Sequence, residues 1–82
     1  MNKLERKILN ACIKYVESEK SALRIEIDYI SSEFLYLNIH GKDSKERYAK
    51  QIGFIKFYNG KLQDIIGIDN FARYIHKELL VW

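Results

Sequence analysis

The sequence predicts an α+β fold: a two-layer sandwich in which a four-stranded antiparallel meander carries an N-terminal and a C-terminal helix on one face, in the order α-β-β-β-β-α. Three observations lead there. Apolar residues recur at helical spacing near both ends, and they alternate at period two through the middle. Between two of the alternating runs stand Asn59-Gly60, the residues a type I′ hairpin turn prefers. Two amphipathic helices and a sheet with one aliphatic side bury their apolar faces by packing on each other. At 82 residues there is room for one such core, so 1–82 reads as a single domain.

The first helix is expected over 3–19. Leu4, Ile8, Cys12, Tyr15 and Val16 fall on one stripe, with Leu9 and Ile13 beside it. Asn2 followed by Glu5 resembles a capping box, each side chain serving the other's backbone N–H. From Ala22 the period changes. Leu23, Ile25, Ile27 and Tyr29 alternate with Arg24, Glu26, Asp28 and Ile30, the pattern of a half-buried strand. After a Ser31-Ser32-Glu33 turn, Leu35, Leu37 and Ile39 alternate with Phe34, Tyr36, Asn38 and His40. Pairing 29 with 35, 27 with 37 and 25 with 39 puts both aliphatic sets on one face.

The second hairpin joins 54–58 to 61–66 through Asn59-Gly60, with Phe57 opposite Leu62 and Tyr58 opposite Lys61. An uninterrupted register then sets Ile55 against Asp64 and Phe54 against Ile65. Residues 41–51 read either as a helical turn capped by Asp43 or as a polar tip entering a long strand from about Arg47 to Tyr58. The long strand is preferred, with Gly53 as a bulge that aligns Ile52, Ile55 and Phe57 and turns Phe54 outward. Asp69 is the expected N-cap of the last helix, whose stripe is Ile68, Phe71, Ala72, Ile75, Leu79 and Trp82.

Composition sets limits on function. With 48% apolar and 30% charged residues the chain is globular rather than disordered, and its net charge of +3 is the wrong sign for an acidic DNA mimic. The single cysteine, Cys12, excludes an internal disulfide. The start, Met1 to Lys7, lacks the apolar run of a signal peptide, and no 18-residue apolar stretch follows. A soluble, cytoplasmic protein without membrane association is expected.

Catalytic and metal chemistry find little footing. His40, His76 and Cys12 are the only soft or borderline metal ligands, and none stands at metal-binding spacing. Cys12 reads as a small core residue. Ser18, Ser21, Ser31, Ser32 and Ser44 lie near element ends, where hydroxyls serve backbone groups. Glu26 and Asp28 project from one sheet face and Asp64 from the other, so these carboxylates do not converge on a cation. Gly41, Gly53, Gly60 and Gly67 are isolated, unlike a phosphate-cradling loop. The expectation is a non-enzyme with no catalytic residue, metal or cofactor.

The informative feature is the sheet face turned away from the helices. It is expected to present Phe34, Tyr36, Phe54, Tyr58 and Ile65, with Asn38, Lys56 and Lys61 among them. A basic segment, Lys42, Lys45, Arg47 and Lys50, adjoins it; together with Lys56 and Lys61, against Asp43 and Glu46, residues 42–61 carry a local charge of +4. Three readings compete. Rings at the centre of a patch suit a protein partner or a homodimer. Rings interleaved with lysines also suit single-stranded nucleic acid, its bases stacked and its phosphates held by cations. The third reading is that a register slip folds the rings into the core. A protein-binding surface is the leading expectation, with single-stranded nucleic-acid binding as the alternative.

The order of elements resembles the XisI-like proteins, the fdxN-element excision controlling factor family. The matching runs are Arg24 to Tyr29, Leu35 to Gly41, Asp43 to Arg47, Phe54 to Leu62, and Ile68 to Leu79, with Phe54-Ile55-Lys56-Phe57-Tyr58-Asn59-Gly60-Lys61-Leu62 the closest. Members tend to carry Gly-Trp before the polar tip where this chain has His40-Gly41, and they continue into a proline-containing tail. The resemblance implies an accessory, regulatory role in programmed excision of a mobile genetic element, beside a recombinase and a companion protein. It implies no catalytic residues.

Overall fold

The structure, a computed structural model, describes residues 1–18, 23–42, 45–68 and 70–80. Ala22 as the first strand residue, the Asp43-capped turn, Asp69 as N-cap and Trp82 on the last apolar stripe lie outside the described residues. The order is α1 (Lys3–Ser18), β1 (Leu23–Tyr29), β2 (Phe34–Gly41), β3 (Lys50–Tyr58), β4 (Lys61–Gly67) and α2 (Phe71–Leu80). The strands form one antiparallel sheet in the order β1-β2-β3-β4. It is an α+β slab of 36 × 30 × 16 Å. No described helix is long and apolar enough to cross a membrane.

Helix α1 begins with the capping box. The Glu5 N–H donates to Asn2 Oδ1, and the Asn2 N–H donates to Glu5 Oε1, both at 2.8 Å. Its Ile8, Ala11, Cys12 and Tyr15 are buried, and Ile13 stands at the exposed margin of that stripe. Phe71 and Ile75 of α2 complete the helix layer, with Tyr15 edge-on to the Phe71 ring at 5.2 Å. Opposite them lie Leu35, Leu37, Ile39, Ile52, Ile55 and Phe57 of the central strands, all buried. Removing such side chains from water contributes about 1.5–3 kcal/mol each.

The first hairpin has the expected register, with Tyr29 opposite Leu35, Ile27 opposite Leu37 and Ile25 opposite Ile39. Ser31 Oγ accepts the N–H groups of Glu33 and Phe34 and so holds the turn. The helices cover only part of edge strand β1. Leu23 and Ile25 pack on the core, whereas Ile27 and Tyr29 stay 43% and 66% exposed on the same face. Asn59 and Gly60 adopt φ of 50° and 76°, the left-handed pair of a type I′ turn.

Three expectations need correction. Strand β3 begins at Lys50 rather than Arg47. Glu46 takes a φ of 58° and the Ala49 N–H bonds the Arg47 carbonyl, so 47–49 curl into a tight turn and cannot extend. The bulge in β3 falls one residue earlier than Gly53. Ile39 pairs with Gly53 and His40 with Gln51, which leaves Ile52 as the extra residue, and Ile52, Ile55 and Phe57 do share the buried side. A second bulge breaks the last hairpin. Phe57 pairs with Leu62, but Lys56 then meets Asp64, Ile55 meets Ile65 and Phe54 meets Ile66. Gln63 is the extra residue. Without it, Asp64 would stand opposite Ile55 on the buried face at the cost of desolvating a carboxylate; with it, Ile65 enters the core and Asp64 turns out.

Candidate interaction surface

The face of the sheet away from the helices carries Phe34, Tyr36, Phe54 and Tyr58, as period-two parity requires. Cross-strand pairing sets Phe34 opposite Tyr58, while Tyr36 reaches Phe54 on the diagonal. The rings form a continuous ladder: Tyr58 to Phe34 at 4.9 Å between centroids, Phe34 to Tyr36 at 6.3 Å, and Tyr36 to Phe54 at 5.0 Å. Mutual packing leaves the first three half-buried and Tyr58 exposed. Lys56 holds its ammonium 5.0 Å from the centre of the Phe34 ring.

Ile65 is not part of this surface. The bulge at Gln63 turns it to the helix side, where it packs on the core, and sets Ile66 in its place, 55% exposed. Beyond Ile66 the surface runs into a shallow groove of about 350 Å³ lined by Gln51, Ile52, Gly53, Phe54, Gly67 and Ile68 as well. Neither Ile66 nor this groove is part of the sequence expectation, because both depend on bulge position.

On the β1 side the same face is polar. The Asn38 amide donates to Asp28 Oδ2 at 2.9 Å, and the Gln51 amide donates to Asn38 Oδ1 at 3.1 Å. Glu26 lies 3.8 Å from both Arg24 Nε and His40 Nε2. The other ring nitrogen of His40 is buried and makes no hydrogen bond among the described residues. This His–carboxylate pair sits on the sheet surface and does not line the groove. Among the described residues, no group of three or more His, Cys, Asp or Glu side chains is placed to hold a metal ion.

Charges on this face nearly cancel. Lys56 stands opposite Asp64, and Lys61 stands opposite Tyr58. Arg24, Lys56 and Lys61 are thus matched by Glu26, Asp28 and Asp64. The basic segment does not join the rings. Lys50 pairs with Gly41, roughly 10 Å along the strand beyond the Asn38–Phe54 pair and roughly 24 Å from Phe34 and Tyr58. Lys42 lies 5.7 Å from the Tyr48 ring, and Lys45 and Arg47 have interactions of their own. Comparison with protein-family models, curated proteins and solved structures finds no match.

Proposed function

We propose that this chain is a small, non-enzymatic protein-binding module that docks its partner, or a second copy of itself, on the outer face of the sheet. The observation that supports this most is a contiguous ladder of four aromatic rings on a face whose charges cancel. Such a surface gains by shedding water against another apolar surface. Its rim of paired polar groups, Asp28, Asn38 and Gln51, suits the edge of a protein interface. The regulatory, mobile-element role implied by the XisI-like resemblance, in the cytoplasm, belongs to the same proposal: an accessory protein that recruits rather than reacts.

Single-stranded nucleic acid remains the second reading, favoured by Lys56 over Phe34. The three carboxylates on the face weigh against it, as does the place of Lys42, Lys45, Arg47 and Lys50 beyond the Phe54 end of the ladder rather than among the rings, since such binding depends on cations along the strand. Sedimentation and affinity capture from host lysate test the proposal with wild type and Tyr36→Ser/Phe54→Ser. A self-associating or partner-bound wild type and a lone variant are expected. A wild type that stays monomeric and captures nothing overturns it. Tight, salt-sensitive binding of a short single-stranded oligonucleotide, lost in the same variant, replaces it with the second reading.

A further inference from the structure

The opposite face of the slab carries a groove of about 500 Å³ between α1 and α2, lined by Lys3, Arg6, Lys7, Asn10, Lys14 and Glu78 over a floor of Ala11 and Leu79. Lys3, Lys7, Asn10 and Lys14 stand at spacings of four, three and four residues, hence on one stripe of α1. At 1.5 Å of rise per residue the row is about 16 Å long. Among the described residues, four cations line the groove against one carboxylate. That carboxylate is already engaged: Glu78 hydrogen-bonds Tyr74 and acts electrostatically on Lys7. Glu5 is turned back into the capping box. Among the described residues, no ion pair engages Lys3, Arg6 or Lys14, all of them exposed.

We infer that this groove binds the phosphate backbone of duplex nucleic acid. A linear row of cations calls for a linear polyanion, and lysine serves phosphate as a mobile point charge while Arg6 offers a planar fork. Among the described residues, none that lines the groove is aromatic, so these side chains offer no platform for stacking unpaired bases. Contact is therefore with the backbone and without sequence readout. This is independent of the sheet-face reading, since the two surfaces lie on opposite sides of the slab. Together they make an adaptor: a protein partner on the rings, a duplex along the helices.

Fluorescence anisotropy with a labelled 20-base-pair DNA duplex tests this. Neutralisation of three phosphates by Lys3, Arg6 and Lys14 predicts that affinity falls about 40-fold between 50 and 200 mM salt. The Lys3→Ala/Arg6→Ala/Lys14→Ala variant, whose changes are all on exposed positions, is expected to bind at least tenfold more weakly at 50 mM salt and to lose most of that salt dependence. Lys42→Ala/Lys50→Ala/Lys77→Ala removes the same charge elsewhere and is expected to bind as wild type does. Equal weakening by both variants, or no duplex binding at 50 mM salt, overturns the inference. So does preference for polyglutamate or for phosphatidylserine-containing vesicles over the duplex, which would assign the cations to an acidic protein or a membrane surface.

Discussion

Gly53 and Gly67 stand opposite each other across β3 and β4, and the ring of Phe71 packs over both. A Cβ at Gly53 would overlap Cδ2 and Cε2 of the Phe71 ring. One at Gly67 would lie 2.6 Å from Phe71 Cδ2 and 3.1 Å from the Ala72 backbone nitrogen. Phe71 is fully buried, so moving its ring disturbs the helix layer. Gly53→Ala is therefore expected to cost roughly 2–3 kcal/mol, a fall in Tm of roughly 10–20 °C. Adding Phe71→Leu should recover part of the loss, so that the double variant is more stable than the two single effects combined predict. Thermal melts of the three variants check this, and a neutral Gly53→Ala would remove the claimed close approach.

Asn2 is expected to stabilise two elements at once. Besides capping α1, its side-chain amide donates to the Gly60 carbonyl at 2.7 Å, fastening the start of the helix to the β3–β4 turn. Asn2→Ala loses both bonds and should cost roughly 1–2 kcal/mol. Asn2→Ser keeps an oxygen for the Glu5 N–H but is too short to reach Gly60, so a smaller loss is expected. Urea titrations that find the two variants equally stable would show the cap oxygen to contribute nothing.

What the sequence made legible follows from where its pattern was redundant. Three aliphatic residues at alternate positions in β1 and three in β2 fix parity and register together, because a one-residue slip would turn every aliphatic into water. The helices were equally plain, through Ile8, Cys12 and Tyr15 at one end and Phe71 and Ile75 at the other. The last strand was not. Ile65 and Ile66 are adjacent, so alternation does not choose which one is inside, and a bulge at Gln63 leaves no glycine to announce it. The basic row of α1 was no part of the sequence reading, which followed only the apolar stripe of that helix; its position beside α2 is what distinguishes a groove from an ordinary solvated face.

Substitution at the two isoleucines separates these faces. Ile65→Asp places a carboxylate against the core and is expected to destabilise by more than about 2 kcal/mol. Ile66→Asp alters an exposed position on the ring side and should change stability by about 0.5 kcal/mol or less. The uninterrupted register predicts the reverse order, so chemical denaturation of this pair alone discriminates. Ile66→Asp should nevertheless weaken partner binding, because Ile66 continues the apolar surface past Phe54.

Cys12 supplies a pH signature of the core. Burial on α1 pushes its thiol up from an ordinary 9.0 to about 12. The fold thus holds the neutral form, while the unfolded chain ionises near pH 9. The contribution is fully present below pH 9 and is lost as pH rises towards 12, where the folded state ionises too. Tyr74 acts in the same sense at high pH, its hydroxyl pKa raised by burial and then by the charge and hydrogen bond of Glu78. Comparing wild type with Cys12→Ala cancels that term. At pH 10.5 the wild type should have lost about 2 kcal/mol more, relative to pH 7, than Cys12→Ala has. Urea unfolding at the two pH values measures the difference, and equal losses would mean that the thiolate meets no penalty in the folded chain. The same burial predicts that a thiol reagent labels Cys12 only as fast as the helix layer opens, so labelling of native protein at pH 8 should be slow and should accelerate in the Gly53→Ala variant.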